Sequence, residues 1–179
     1  MGTEIERRWL LDGRGDRVWI HDCEKKDVIS QYYVDVKELS FTTEGVYWNG
    51  FLLCKENFEE KNWVTARFRI TDEICIFTLK GKRVSASREE VEFEITLPSG
   101  ITSLPGLMKT RYYWRGVDNL LWEIDEFEGG LAGLIIAEVE IPSEEYPIQK
   151  PEWLGMELTF LKGWSNADLV RMLSAQGKS

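Results

Sequence analysis

Apolar and polar residues alternate along much of the chain, and alternation with a period of two is typical of β-strands. Eight segments follow this pattern: residues 4–11, 28–36, 63–71, 74–80, 88–97, 108–115, 120–127 and 134–141. Turn-forming residues separate them, among them Asp72 and Gly116. Eight closely spaced strands predict an antiparallel barrel or sandwich.

Helical patterning is scarce, and it is clearest at the C-terminal end. Ser165 or Asn166 is a suitable cap for a helix that runs to about Ser174, with Leu169 on its apolar stripe and Gly177 as its stop. Residues 37–62 are the least regular part of the chain and mix aromatic with charged side chains. We predict one domain over residues 1–179, with an inserted hairpin or lid at 37–62.

The polar faces of the predicted strands are sorted by charge, because residues i and i+2 of a strand share a face. Like charges share a face at Glu4 and Glu6, Arg67 and Arg69, Lys109 and Arg111, Glu123 and Asp125, and Glu138 and Glu140. An ordinary solvent-facing surface explains any one strand, but such a surface usually mixes the two signs. The sorting favours charged faces that converge on a ligand of both signs, such as a metal-bound polyphosphate.

Composition narrows the functional classes. The 179 residues include 22 Lys and Arg against 31 Asp and Glu, a net charge of −9 that argues against nonspecific binding to nucleic acid or an anionic membrane. The N-terminus has no apolar signal region, and three cysteines without a Cys-x-x-Cys pair favour a reducing cytoplasm. A single histidine, His21, makes Ser-His-Asp chemistry a poor candidate. Monomer and homodimer both remain open.

The remaining chemistry belongs to carboxylates, lysines and arginines. Carboxylate clusters without His or Cys favour Mg²⁺ or Mn²⁺ over zinc, and guanidinium groups suit phosphoryl oxygens. Together they are the components of metal-assisted phosphoryl transfer. The chain has no Gly-x-x-x-x-Gly-Lys-Ser/Thr motif, which excludes a P-loop.

Glu4-Ile5-Glu6-Arg7-Arg8 resembles the N-terminal Glu-x-Glu-x-Lys signature of the CYTH superfamily, also called triphosphate tunnel metalloenzymes. Further resemblances follow in chain order: Ala66-Arg67-Phe68-Arg69, Thr78-Leu79-Lys80-Gly81, Lys109-Thr110-Arg111-Tyr112, Trp122-Glu123-Ile124-Asp125 and Ala137-Glu138-Val139-Glu140. Each motif alone is weak, whereas the ordered set spans most of the chain. One departure is Arg8, which replaces the compact ammonium of the signature lysine with a planar guanidinium.

The resemblance implies a mainly β fold, an eight-stranded antiparallel tunnel barrel with a charged interior and a C-terminal helix. It implies metal ligands at Glu4, Glu6, Glu138 and Glu140, with Asp125 at or near the site, for Mg²⁺ or Mn²⁺. It implies substrate contacts from Arg8, Arg67, Arg69, Lys80, Arg88, Lys109 and Arg111. The catalytic set is Lys109, Glu138 and Glu140, with Lys109 activating the attacking water.

The expected activity is metal-dependent hydrolysis of inorganic triphosphate or a related small triphosphate. The family also includes thiamine triphosphatases and class IV adenylyl cyclases, and Tyr47, Trp48 and Phe51 are aromatic candidates for stacking a base. A non-catalytic polyphosphate-binding module is the alternative of another class, although its ligand would not need so many carboxylates. We interpret Glu92 as charge balance within the tunnel, and leave Glu90 as either a ligand or an orienting group.

Overall fold

The computed structural model describes residues 2–72 and 74–177. Its strands are β1 (Gly2–Leu10), β2 (Lys25–Val34), β3 (Leu39–Thr42), β4 (Gly45–Trp48), β5 (Phe51–Cys54), β6 (Trp63–Thr71), β7 (Ile74–Gly81), β8 (Ser87–Ile95), β9 (Gly106–Arg115), β10 (Leu121–Phe127) and β11 (Ile135–Glu140). Its α-helices are α1 (Val18–Asp22) and α2 (Asn166–Gln176). Neither helix in the described part of the chain has the length and apolar character needed to cross a bilayer.

Eight of these strands close into an antiparallel barrel in the order β1, β11, β10, β9, β2, β6, β7, β8 and back to β1. This confirms the predicted fold class. The eight barrel strands coincide with the eight segments of period-two alternation, and the largest difference is the start of β2 at Lys25. Because closure leaves the barrel without a free edge, every barrel strand has a hydrogen-bonded neighbour on both sides.

The barrel carries its apolar side chains on the outside. In β6, Phe68 is fully buried under an outer covering, while its neighbours Arg67 and Arg69 face the interior. The outer wall of β1, β10 and β11 is covered by tryptophans, with the rings of Trp9 and Trp122 centred 5.2 Å apart. An apolar exterior requires a cover, since exposed apolar area of this size is unfavourable in water.

Residues 37–62 supply part of that cover. They form a three-stranded antiparallel sheet, β3-β4-β5, which lies against the outer faces of β6 and β7. Trp48 is 3% exposed and its ring centre lies 5.3 Å from that of Phe68. Gly45 is required where β4 meets β5, since its φ is 145° and an added Cβ would lie 2.0 Å from the Cys54 carbonyl oxygen.

The C-terminal helix begins and ends where the sequence predicts. Ser165 is the N-cap of α2, and Asp168 completes a reciprocal capping box with it. Leu169 and Val170 are buried against the barrel, and Gly177 follows the last turn. The short helix α1 was not predicted, because five residues without a side-chain cap give too little periodicity to detect.

We expect Trp48→Ala to lower the free energy of unfolding by about 3–5 kcal/mol, because it leaves a cavity between the inserted sheet and the barrel wall. Urea denaturation followed by circular dichroism measures the change. Val64→Thr is the control, since Val64 is 59% exposed in β6 and the substitution keeps its β-branched shape. A loss below 1 kcal/mol for Trp48→Ala would contradict the role assigned to the inserted sheet.

Candidate active site

The barrel encloses a cavity of about 400 Å³ whose walls are formed by the inward-facing residues of the strands. Ten of the twelve sequence-predicted site residues line it: Glu4, Glu6, Arg8, Arg67, Arg69, Lys80, Arg88, Arg111, Glu138 and Glu140. Glu90, Glu92 and Glu123 also line it, so the described lining holds six cationic and seven carboxylate side chains. The cavity is therefore highly charged and nearly neutral overall.

The other two predicted residues, Lys109 and Asp125, do not line the cavity. Both are completely buried, and the Lys109 amine contacts the Asp125 carboxylate directly. Asp125 lies opposite Arg111 in the β9–β10 register and accepts two bonds from its guanidinium, at 2.7 and 2.8 Å. Arg111, which also contacts Glu123, links this buried group to the cavity.

The electrostatics of this buried group are dominated by desolvation and by its own partners. Burial, together with nearby Arg111, lowers the pKa of Lys109 to about 8 in spite of Asp125. Burial alone would raise the pKa of Asp125, but Arg111 and Lys109 outweigh it and hold that pKa below its usual value. Glu138 behaves similarly, because Arg8 and Arg111 keep its pKa far below the ordinary glutamate range.

The predicted metal ligands gather where β1 meets β11. Glu6 lies opposite Glu140 in the register, and Glu4 is two residues away on the same face of β1. Burial and the charges of Glu4 and Glu6 raise the pKa of Glu140. No ion pair to Glu140 occurs among the residues that the structure describes. The set contains only oxygen ligands, and the charge of Glu140 is uncompensated in the described structure, which fits a hard divalent cation.

The side chains are not arranged around a common point. Within residues 2–72 and 74–177, no three acidic, histidine or cysteine side chains converge as a metal-binding group. Glu4 instead pairs with Lys80 at 3.3 Å and with Arg88 at 2.9 Å, and Glu6 pairs with Arg88 at 3.0 Å and with Arg83. The donor chemistry fits a metal, but these carboxylates must exchange their internal cations to take one.

A cationic wall on β6, β7 and β8 faces the same cavity. Arg67 and Arg69 lie 3.3 and 3.5 Å from the carboxylate of Glu92. Lys80 lies 2.6 Å from Glu90, its partner in the β7–β8 register. These contacts place both glutamates as counter-charges for the cations. The buried Nε of Arg67 has no hydrogen-bond partner in the described structure, which leaves it free to donate to a ligand.

The first turn of α2 closes part of the cavity wall. Asn166 accepts a hydrogen bond from Arg8 at 3.3 Å and donates one to Gln31 at 3.3 Å. Arg8 also pairs with Glu138 at 2.8 Å. A helix N-terminus carries partial positive charge and adds to the potential that favours an anion. Sequence reasoning identified Asn166 only as a cap candidate, because nothing in the local pattern indicates that it faces a tunnel.

Two further residues were missed by sequence reasoning. Tyr33 lines the cavity from β2, where no like-charged pair marked the inner face. Arg83 reaches Glu6 from the loop after β7, and loop residues have no periodicity from which a face could be deduced.

A closed antiparallel barrel whose cavity is lined by both guanidinium and carboxylate groups defines a tunnel barrel with a charged interior. Comparison with known proteins agrees: the chain belongs to the CYTH superfamily, the triphosphate tunnel metalloenzymes. No family model matches the chain.

The relatives described next are all named for the same activity. An inorganic triphosphatase of Acetivibrio thermocellus is 34% identical over 177 residues, which cover 96% of this chain and 95% of that protein. An inorganic triphosphatase of Nitrosomonas europaea is 34% identical over 114 residues, or 60% of this chain and 75% of that protein. The crystal structure of an inorganic triphosphatase matches with a TM-score of 0.55 and 25% identity, covering 95% of each chain.

We expect Asp125→Asn to lower the free energy of unfolding by about 3–5 kcal/mol, because it leaves Lys109 and Arg111 buried without their counter-charge. Chemical denaturation in the presence of EDTA measures this loss without any metal contribution. Glu123→Gln is the matched control. Glu123 also contacts Arg111, but burial raises the pKa of its carboxyl, whereas the pKa of Asp125 is lowered. We expect that control to change stability by about 1 kcal/mol or less. Equal losses in both variants would refute the importance of the buried group.

Proposed function

We propose that this protein is a metal-dependent triphosphatase that hydrolyses inorganic triphosphate, or a related small triphosphate, inside the barrel. One observation carries the proposal: a single enclosed cavity is lined, within the described part of the chain, by six guanidinium or ammonium groups and seven carboxylates. A linear triphosphate together with a divalent cation carries both of the complementary charges. The proposal places the protein in the cytoplasm, in keeping with its three free thiols, Cys23, Cys54 and Cys75.

The carboxylates of β1 and β11 are the groups that would hold Mg²⁺ or Mn²⁺, namely Glu4, Glu6, Glu138 and Glu140. When bound, such a cation supplies charge neutralisation and polarisation at the phosphoryl oxygens. Glu138 is suited to stay ionised, because Arg8 and Arg111 hold its pKa low. Glu140 is suited to bind a cation, because its own pKa is raised by burial and by Glu4 and Glu6. Asp125, predicted at or near the metal, is paired with Arg111 below the cavity wall and would act by fixing that arginine.

The cationic side chains bind and orient the phosphate chain. Arg67 and Arg69 present guanidinium groups that suit bidentate contact with phosphoryl oxygens, and Arg67 has an unused buried donor. Lys80 and Arg88 lie beside the carboxylate cluster through their pairs with Glu4. Arg8 and Arg111 complete the substrate-binding set on the opposite side. Water attacks the terminal phosphorus, the bond to the bridging oxygen breaks, and pyrophosphate leaves with the electron pair.

Lys109 is the proposed group that accepts the proton of the attacking water. Its pKa of about 8 suits a base at neutral to alkaline pH, because a useful fraction of the amine is neutral there. In this structure its amine contacts Asp125 and is shut off from the cavity. The proposed role therefore requires Lys109 to move away from Asp125. Arg111 stays paired with Asp125 and keeps the charge of that carboxylate neutralised after Lys109 has moved.

The alternative activities differ in whether they require aromatic residues to stack a base in the cavity. Tyr47, Trp48 and Phe51 were candidates for stacking a nucleotide base, although packing of the inserted segment was the preferred interpretation. None of them is among the described residues that line the cavity. Trp48 instead lies against Phe68 on the outer wall. Inorganic triphosphate needs no base pocket and is therefore favoured over ATP. The adenylyl cyclase, thiamine triphosphatase and binding-module alternatives are outcomes of the experiment below.

We expect the purified protein to release phosphate and pyrophosphate from inorganic triphosphate with Mg²⁺ or Mn²⁺, and to lose this activity in EDTA. Glu140→Gln should lower kcat/KM at least about 100-fold, because it removes a metal ligand without breaking an internal ion pair. Glu94→Gln is the matched control, since Glu94 is an exposed residue of β8 outside the cavity lining. Malachite green and coupled pyrophosphate assays measure both products.

The same assay, run with ATP and thiamine triphosphate, separates the alternatives. Cyclic AMP from ATP would establish a cyclase, and preferred hydrolysis of thiamine triphosphate would establish that activity. Tight triphosphate binding without turnover under any metal would establish a binding module. Full activity of Glu140→Gln would overturn the assignment of the metal ligands.

We expect kcat/KM to rise roughly tenfold per pH unit below about pH 8 and to level off above it, because Lys109 of the free enzyme must be neutral to accept a proton. The measurement is a pH profile of kcat/KM, taken at triphosphate concentrations far below KM with the metal concentration held constant. Lys109→Ala should abolish both the activity and this rising limb, with circular dichroism to confirm that the variant folds. A folded Lys109→Ala protein with wild-type activity would eliminate Lys109 as the base.

A further inference from the structure

Arg83 lies on the loop of residues 82–86 between β7 and β8. Val84 and Ser87 exchange two backbone hydrogen bonds of 2.8 and 3.0 Å, and Ser85 takes a left-handed φ of 56° between them. The carboxylate of Glu144 accepts one bond from the Ser85 hydroxyl at 3.0 Å and one from the Ala86 backbone N–H at 3.2 Å. The loop therefore has a defined shape that fixes where the Arg83 side chain begins.

The same loop is attached to β1 at Glu6. The backbone N–H of Glu6 donates to the carbonyl oxygen of Ala86 at 3.2 Å, and Arg83 Nη1 donates to that oxygen at 3.4 Å. The other terminal nitrogen of Arg83, Nη2, contacts Glu6 Oε1. Arg88 Nη2 binds that same oxygen at 3.0 Å. One buried carboxylate thus holds two guanidinium groups on one oxygen atom.

Arg83 and Arg88 differ in their other contacts and in their exposure. Arg88 lies in the barrel wall, lines the cavity and also pairs with Glu4 at 2.9 Å. Arg83 comes from outside the described cavity lining, and its side chain is 27% exposed, whereas that of Glu6 is 5% exposed. Arg83 can therefore move into solvent without breaking the barrel wall, and its guanidinium would be hydrated there at little cost.

A guanidinium and a divalent cation compete for the same carboxylate oxygens. Glu6 is a proposed metal ligand, and with Arg83 in place its Oε1 atom is already bound by two donors. Two nearby positive charges also lower the affinity of that carboxylate for a further cation.

We propose that Arg83 is an internal competitor for the metal site, a loop-borne cation that must leave Glu6 before a divalent metal can bind there. Arg83 therefore sets the metal concentration at which the site fills. This inference rests on the proposed function, since it takes Glu6 as a metal ligand. It also predicts the direction of the effect: removal of the Arg83 charge makes metal binding tighter.

The test is Mn²⁺ binding to the phosphate-free protein, measured by the loss of the free Mn²⁺ signal in electron paramagnetic resonance and by calorimetry. We expect Arg83→Gln to lower the Kd for Mn²⁺ about tenfold. Arg83→Lys keeps the charge on a compact ammonium group without the guanidinium fork, and its Kd should fall between those of Arg83→Gln and wild type. Lys82→Gln is the matched control, because it removes an equal charge from the exposed neighbouring position and should leave the Kd unchanged.

Two further variants separate the inference from the proposed function. Glu140→Gln should weaken Mn²⁺ binding if the carboxylates of β1 and β11 form the metal site. Absent Mn²⁺ binding in wild type, or Mn²⁺ binding unaffected by Glu140→Gln, would overturn the metal site and the inference with it. A wild-type site that depends on Glu140, together with an unchanged or weaker Kd in Arg83→Gln, would overturn the inference alone. Glu144→Ala, which releases the loop, should also tighten binding and replaces Arg83→Gln if that variant does not fold.

Discussion

The barrel depends on charge compensation in its interior. An ion buried without a partner costs several kcal/mol, so a closed barrel lined with charges is stable only when each buried charge meets its opposite. Lys109, Asp125 and Arg111 form the deepest example, in which two cations share one fully buried carboxylate. Toward the mouth, Glu4 bridges Lys80 and Arg88 in the same manner. The ligand cavity is what remains between these pairs.

Antiparallel register provides the compensation, because it fixes which side chains lie side by side across neighbouring strands. It sets Arg8 opposite Glu138, Glu4 opposite Arg88, and Lys80 opposite Glu90. With the charges inside, the alternate residues of the strands face outward and are mostly apolar. That exterior explains the rest of the architecture: the β3-β4-β5 sheet, the tryptophans around Trp9 and helix α2 each cover a part of it.

The period-two pattern was sufficient to predict the eight barrel strands, and the sorting of charge by sign was sufficient to predict a shared charged interior. Alternation identifies the face of a residue but not its depth, which is why Lys109 and Asp125 were predicted alongside residues that line the cavity. It also carries no information about loops. Arg83 reaches Glu6 from a loop that is bound in part by Glu144, 61 positions beyond Arg83 in the numbering. Such long-range contacts are set by topology and leave no local pattern in the sequence.

Because the charges of the cavity are already paired, ligand binding in the proposed function would exchange internal ion pairs for ion pairs with the ligand. The described cavity lining, with six cations and seven carboxylates, is already almost neutral, so the triphosphate and metal of the proposed function would not enter a cavity of unpaired charges. Phosphoryl oxygens would displace Glu92 from its guanidinium partners, and a metal would displace Arg83 and Arg88 from the Glu6 carboxylate. The affinity for a ligand would then be the difference in free energy between the internal ion pairs and the ion pairs formed with the ligand. A ligand of only one charge sign would release internal charges that it cannot compensate. A net charge of −9 is therefore compatible with binding a polyanion, because binding in the tunnel depends on how its charges are paired and not on the total charge of the protein.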